Sequence, residues 1–327
     1  MRFLRTALPL ALLALATPIT AQEYRAPSTT VVEVLGLRTW TREMMEDSVA
    51  RFQPGVSLAD HACAVILRDS MGFANAASRT LNVGDTSWTV LPVVEPQRRA
   101  QVRFAAYTVR RPQQAAWADV FAVLEAHPQS LGGLQYPGVL LGDADSAFGQ
   151  PLPQGTDAAR QAIRGHRTPR DWALARDALL SDSSYTNRTV AALVLSNFAE
   201  RDSTYYLLAD GLRAMDSGAS AAELVLRVLR RDAPRPVDWA PASSTLTALF
   251  GGTNLFAYTD VMEALVATRV DPVLGRELAR VDTILLLDHL GARNPVTPGS
   301  VQRYLAYVYG RDLGRDPAAW SALLSAP

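Results

Sequence analysis

Four histidines are the residues of this chain best suited to acid–base or metal chemistry near neutral pH. None of them stands in a His-Glu-x-x-His pattern. The best pairing is Asp282 with His289, at i and i+7 on one predicted helical face, with Asp288 adjacent. Helix-buried histidines usually satisfy a backbone or carboxylate partner, so we expect no metal or catalytic site from this pairing. The histidines are His61, His127, His166 and His289.

Two gaps in the composition exclude whole classes of chemistry. All 32 basic residues are arginine, which excludes Schiff-base lysines, Walker A phosphate loops and Ser-x-x-Lys hydrolases. The single cysteine, Cys63, allows no intramolecular disulfide and no cysteine-based zinc or iron–sulfur site. Because Cys63 lies on the apolar stripe of a predicted helix, we expect a buried and unreactive thiol. We predict no catalytic residue, metal or cofactor.

Other short patterns resemble functional motifs but lack essential parts. Gly218–Ala222 has the spacing of a nucleophile elbow, yet it follows a helix, and Ser220 fits a helix start better. Asp143 and Asp145 lack the third ligand and central glycine of a calcium loop, which favours a solvated turn. The glycosylation triplet at Asn187 is interpreted as a chance match.

Arginine pairs occur at 98–99, 110–111 and 230–231. Such pairs are usually solvated, and we expect exposed faces at these positions. If one of them has a function, recognition of a carboxylate is the role that arginine suits best.

The first 21 residues have the layout of a cleaved secretory signal. A basic start is followed by a short apolar stretch from Ala7 to Ile19 and by Ala21 before polar residues. The stretch is too short, and too interrupted by Pro9 and Pro18, for a membrane span. We therefore expect a periplasmic or secreted protein.

Removal of this segment leaves 30 arginines against 32 acidic residues, a formal charge of −2. That balance disfavours a nucleic-acid partner. The most apolar later stretch, Thr283–Leu287, runs straight into Asp288, so we expect no integral membrane segment after signal cleavage. The oligomeric state stays open.

A small α+β unit is predicted over residues 29–105. A β-branched run at 30–37 is followed by a helix capped by Thr41, with Met45, Val49 and Phe52 on its buried face. A second helix begins at Ser57, and two extended runs at 76–83 and 87–95 follow, the second with an edge or bulge at Pro92. The predicted order is β-α-α-β-β.

This unit resembles the polypeptide-transport-associated (POTRA) domain. The matching segments are Val-Leu-Gly-Leu at 34–37, Phe-Gln-Pro-Gly at 52–55, LRDSMGF at 67–73, VLPVVEP at 90–96 and Val-Arg-Phe at 102–104. The resemblance implies recognition of polypeptide by strand addition at a sheet edge. No barrel-type strands follow, so this chain departs from the family, which carries a barrel after such domains.

Residues 106–170 are predicted as a helix at 115–126 and a Gly/Pro-rich linker or wrapped loop. After residue 171, helical periodicity dominates, and TVAALVLSNFA at 189–199 is repeated at a spacing of 31 as SAAELVLRVLR at 220–230. Such a period is typical of an α-solenoid. Further helices are predicted at 243–250, 255–268, 272–291 and 299–309.

In the helical domain at 171–327, residues 171–324 resemble HEAT-type repeats. The segment YGRDLGRDPAAW at 309–320 is similar to a closing segment of bacterial HEAT-like proteins, with Leu313 in place of an aromatic residue. An irregular helical bundle is the alternative architecture. The predicted fold class is thus a small α+β, POTRA-like domain followed by an all-α, HEAT-like solenoid.

Both resemblances imply protein or peptide partners. The leading hypothesis is a non-catalytic exported protein-binding scaffold. A role in cell-envelope assembly follows only by analogy. One alternative is an exported hydrolase whose site gathers distant Asp, His and Ser residues between the domains. The other is a structural module that associates with itself.

Overall fold

The computed structural model describes residues 29–147, 149–215 and 218–325, so the predicted signal peptide at 1–21 lies outside the described residues. The chain is mixed α/β, with a small sheet in its N-terminal part and a largely helical remainder. Among the helices of the described ranges, none has both the length and the apolar character that a membrane span requires.

The sheet region follows the predicted order, with the predicted second strand divided in two. The central strand, β4, pairs in parallel with β1 and antiparallel with both β2 and β3. The elements are β1 at Thr29–Leu35, α1 at Arg42–Phe52, α2 at Ala62–Val65, a π turn at Ile66–Ser70, β2 at Asn75–Ala76, β3 at Arg79–Val83 and β4 at Thr86–Val94.

Pro92 explains the divided strand. It lies in the central strand β4 rather than at an edge, and the neighbouring strand is interrupted beside it, between β2 and β3. Proline has no N–H to donate, so a regular ladder breaks there, although the Pro92 carbonyl still accepts from Ala77 N–H at 3.1 Å.

Helix α1 begins as predicted, because the Thr41 hydroxyl accepts a hydrogen bond from Met44 N–H at 3.2 Å. Met45 and Val49, on the inner face of this helix, are fully buried. The prediction for Phe52 is wrong, since its side chain is 58% exposed. Phe52 is the last residue of the helix and lies past the two turns that cover the sheet.

Residues 106–170 contribute to the large core of the helical region, through buried side chains such as Trp117, Leu134 and Ile163. The predicted helix is present, as a 3₁₀ turn followed by α3. A helix that the sequence analysis did not predict, α5, follows a short hairpin. The elements are α3 at Ala118–Ala126, α4 at Ser130–Leu134, β5 at Ser146–Ala147, β6 at Gln150–Pro151 and α5 at Thr156–Gly165.

The helices after residue 168 agree with most predicted positions, and the stretch 272–291 forms two helices instead of one. These helices are α6 at Pro169–Ser181, α7 at Tyr185–Leu195, α8 at Asp202–Gly211, α9 at Gly218–Asp232, α10 at Ser243–Phe250, α11 at Tyr258–Ala267, α12 at Pro272–Ala279, α13 at Thr283–Leu290, α14 at Thr297–Tyr309 and α15 at Pro317–Leu324.

The helices form two layers. In one layer, α6, α8, α10 and α12 contact each other in that order, and in the other layer α7, α9, α11 and α14 do the same. The two segments that repeat at a spacing of 31 fall in α7 and α9, which are neighbours in the second layer. The two repeated segments therefore lie on adjacent helices of one layer.

Polar contacts fix the sheet region to the helices. Arg98 and Asp282 form an ion pair at 2.6 Å with almost no exposure of either side chain. The Asn75 amide donates to the carbonyls of Gly252 and Thr253 at 2.8 and 3.0 Å. The sheet therefore sits against the helical region at α13 and at the loop before α11.

Candidate functional site

The histidines are dispersed. His61 Nδ1 lies 3.2 Å from the Ser78 carbonyl oxygen, and His127 packs against Gly155. His166 lies between Asp119 at 3.0 Å and Asp171 at 3.3 Å, where Asp171 also forms the capping box of α6 with Thr168. Within the described ranges, no group of three or more His, Cys, Asp and Glu residues could hold a metal ion.

Asp282 and His289, the best candidate pair in the sequence, have separate partners. Asp282 caps α13 by accepting from Leu285 N–H and binds Arg98. His289 is buried, and its Nδ1 lies 2.7 Å from the Leu285 carbonyl of the preceding turn. Burial lowers the pKa of His289 to about 4, so the ring is neutral at pH 7.

The remaining candidates have structural partners. Cys63 is fully buried, and burial raises the pKa of its thiol to about 11. Asp143 forms an ion pair with Arg164 at 2.8 Å. The Asn187 side chain is fully buried and donates to Asp182 at 2.8 Å, which leaves no room for a glycan.

The expectation of solvated arginine pairs is wrong at two positions. Arg98 is buried by its ion pair with Asp282 across the contact between the sheet and the helices. Arg230 is held between Asp260 at 2.8 Å and Glu263 on α11. All three acidic partners are distant in sequence, so the local arginine doublets carried no sign of them.

The free edge of β1 is the best-formed candidate surface. Thr29 N–H donates to the Asp85 carbonyl at 3.3 Å, which sets the alternation of the parallel ladder. Residues 29, 31, 33 and 35 therefore direct their backbone groups at β4. The backbone groups of Thr30, Val32 and Val34 point away from the sheet.

Two contacts confirm this direction. The Val32 carbonyl accepts from Arg42 Nη1 at 3.2 Å, and Gly36 N–H donates to Asp288 Oδ2 at 2.7 Å. Among the described residues, no hydrogen-bond partner faces the outward N–H and C=O of Val34. This edge thus offers unpaired main-chain donors and acceptors.

A groove of about 490 Å³ runs along this edge. One wall is β1 from Val32 to Leu35, and the other is formed by Leu287 and Asp288 of α13 with the loop Gly291–Arg293. Helix α15 contributes Pro317 at its start. The edge strand is therefore accessible from a cleft rather than covered.

Charged groups border the groove. Arg42 pairs with Glu46 at 2.8 Å with both side chains almost half exposed, and Arg293 is 67% exposed. The Glu33 carboxylate accepts hydrogen bonds from Arg293 N–H and from Asn294 Nδ2, the second at 2.8 Å. Burial raises the pKa of Asp288, whose carboxyl group accepts a hydrogen bond from Gly36 N–H. The rim thus carries the exposed guanidinium groups of Arg42 and Arg293, and that of Arg293 lies 3.8 Å from the Glu33 carboxylate.

The β-branched run at 30–37 predicted a strand but not which of its backbone groups face outward. The one available signal was the strict alternation of a strand, which becomes informative only when the neighbouring strand and its register are known. Compared with protein-family models, with curated proteins and with solved structures, the chain matches none of them.

Proposed function

We propose that this protein is a non-catalytic, exported binding protein that takes up an extended polypeptide segment as an added strand along β1. The observation that carries the proposal is the open edge of β1 lining a groove. A guest strand gains main-chain hydrogen bonds there at the ordinary spacing of about 4.8 Å. Seven residues of β1 give an edge of about 23 Å.

The groove also indicates the chemistry of the guest. Val32 and Val34 are partly buried and form the apolar base of the edge, and Arg42 and Arg293 lie at its rim. A segment with alternating apolar side chains and acidic flanking residues fits this arrangement.

The layout of the two regions supports an adaptor role. A POTRA-like interpretation of residues 29–105 agrees with a parallel β1–β4 pair covered by two helices, and a HEAT-like interpretation of 171–327 agrees with the two stacked layers. In this proposal the helical layers are the scaffold that holds the groove wall at α13. Export to the periplasm or beyond follows from the predicted signal peptide.

The test uses a fluorescent ten-residue peptide that alternates valine with threonine and carries a glutamate at each end. Its binding to the purified protein is measured by fluorescence anisotropy. The variant Val34→Pro removes an outward N–H and leaves the ladder with β4 intact, because proline is tolerated where an edge strand faces outward. The matched control, Val34→Thr, keeps the shape and the N–H.

We expect saturable binding that Val34→Pro weakens at least tenfold and Val34→Thr leaves within twofold. Equal binding by both variants would overturn strand addition at β1. Light scattering of the protein alone gives a further outcome: a dimer that Val34→Pro dissociates would assign the edge to a second copy of the chain instead of a foreign peptide.

A further inference from the structure

A second cavity lies on the opposite side of the sheet, between β3 and α9. It has a volume of about 510 Å³ and receives side chains from both regions of the chain. Since β1 and β3 flank β4 on opposite sides, this cavity is separate from the β1 groove, and the inference drawn from it does not depend on the proposed function.

Three arginines converge on the cavity from three elements: Arg68 from the π turn, Arg79 from β3 and Arg227 from α9. Arg227 is fixed by Glu223 at 2.5 Å and Asp260 at 2.9 Å. Arg68 uses its Nε on Asp69, which leaves its terminal nitrogens available. In the described part of the chain, the Arg79 side chain makes no hydrogen bond or ion pair, yet its charge lowers the pKa of Glu223.

Among the described residues, Glu223 is the one carboxyl residue that lines the cavity, and its charge interacts with that of a second carboxyl, Asp260. Burial and the nearby Asp260 raise the pKa of Glu223 to about 7, against the opposing effect of Arg227. Glu223 therefore binds a proton at a higher pH than an ordinary glutamate does. A protonated carboxyl donates a hydrogen bond, whereas the ionised form repels an anion.

The charged groups that face Glu223 come from every neighbouring element. They are Arg227 on its own helix, Asp260 on α11, Arg79 on β3, Arg68 on the π turn and Glu125 on α3.

Much of the remaining wall is apolar or has its polar groups hydrogen-bonded. Phe104, Leu255 and Phe256 line the cavity, and Phe256 is 51% exposed. Asn75 and Asn254 also line it, but their amides donate to backbone carbonyls of the helical region. The cavity thus combines the guanidinium groups of Arg79 and Arg68 with aromatic surface.

We propose that this cavity binds a small organic carboxylate with an apolar body. The carboxylate is held by Arg79 and Arg68 in the bidentate manner that suits guanidinium, and the apolar body packs on Phe104 and Phe256. Glu223 binds a proton when the anion enters, so affinity rises as the pH falls.

Isothermal titration calorimetry of the purified protein tests this with three probes: 3-phenylpropionate, the uncharged 3-phenylpropanol and inorganic phosphate. We expect saturable binding of 3-phenylpropionate, and binding at least tenfold weaker for each of the other two. If the alcohol binds as well, the arginines do not recognise the ligand. If phosphate binds as well as 3-phenylpropionate, the apolar wall does not contribute to recognition of the ligand. No binding of 3-phenylpropionate at millimolar concentration overturns the proposal outright.

Variants assign the residues. Arg79→Gln is expected to weaken 3-phenylpropionate binding about tenfold, whereas the matched exposed Arg311→Gln leaves it unchanged. Glu223→Gln keeps a hydrogen-bond donor and removes the repulsion, so its affinity at pH 8 should equal that of the unmodified protein at pH 6. A pH dependence that survives in Glu223→Gln contradicts the role of Glu223.

Discussion

The buried ion pair between Arg98 and Asp282 should be essential for stability. The two side chains are 9% and 2% exposed, and their shortest contact is 2.6 Å. Arg98 also donates to the Gly36 carbonyl, and Asp282 also caps α13 through Leu285 N–H at 3.0 Å. Removal of one charge therefore leaves the other buried without its partner. Such changes cost about 3 to 5 kcal/mol.

Asp282→Asn is the sharpest perturbation, because the asparagine oxygen can still cap α13 while the charge is lost. We expect Asp282→Asn and Arg98→Met each to lower the free energy of unfolding by about 3 to 5 kcal/mol in urea titrations followed by circular dichroism. The double variant should cost little more than either single one, because the second change removes the unpaired charge.

The exposed pair of Arg42 and Glu46 is the matched control. Its side chains are 45% and 44% exposed at a contact distance of 2.8 Å. Glu46→Gln should change the free energy of unfolding by less than about 0.5 kcal/mol. If Asp282→Asn costs less than about 1 kcal/mol, or if the two single costs simply add in the double variant, the reasoning about this contact is wrong.

Three further predictions concern local features. The pKa of His289 is near 4 in the folded protein and about 6.5 in the unfolded chain, so its contribution to stability is complete above pH 6.5 and is lost as the pH falls toward 4. Urea titrations at pH 7 and pH 4 should show a loss about 3 kcal/mol smaller for His289→Gln than for the unmodified protein, and equal losses would contradict this. A Cβ at Gly36, whose φ is +91°, would lie 2.3 Å from the Val93 carbonyl oxygen, whereas Gly55 has φ +90° and open space. Gly36→Ala should therefore destabilise by about 2 kcal/mol more than Gly55→Ala, and equal melting temperatures would refute the contact. Cys63 should resist a disulfide reagent at pH 8 for as long as the protein stays folded, and rapid labelling without urea would show that it is not buried.

Local sequence signals predicted much of the secondary structure because they act over a few residues. Thr41 caps α1 as expected, and the helix at 243–250 has the predicted bounds. The 31-residue repeat also corresponded to neighbouring helices, α7 and α9. Caps and amphipathic stripes are visible in a single segment, so no knowledge of the tertiary fold is needed.

The features that were missed depend on partners far along the chain. Arg98 looked like a solvated arginine because Asp282 lies 184 residues away. Helix α5 has a glycine rather than a side-chain cap before it, so its start carried no signal. Pro92 was expected at an edge or a bulge, but it lies in the central strand β4. That strand accommodates it because the neighbouring strand is interrupted beside it, between β2 and β3.

Neither candidate site had a signature in the sequence. The outward direction of Val32 and Val34 follows from the register with β4, and the cavity at Glu223 requires β3 to pack near α9. Both depend on how the sheet docks on the helices. That docking depends on individual contacts, such as the hydrogen bond from the Asn75 amide to the Gly252 carbonyl. No local sequence pattern predicts such a contact.

The most direct test of the proposed function is residue-resolved amide hydrogen exchange of β1 with and without the valine–threonine peptide. In the free protein, the N–H groups of Val31 and Glu33 should be protected by β4, while those of Val32 and Val34 exchange rapidly. Strand addition predicts that the peptide protects Val32 and Val34 and leaves Val31 and Glu33 as they were. Protection that appears elsewhere, or none at β1 when the peptide is bound, would contradict the proposal.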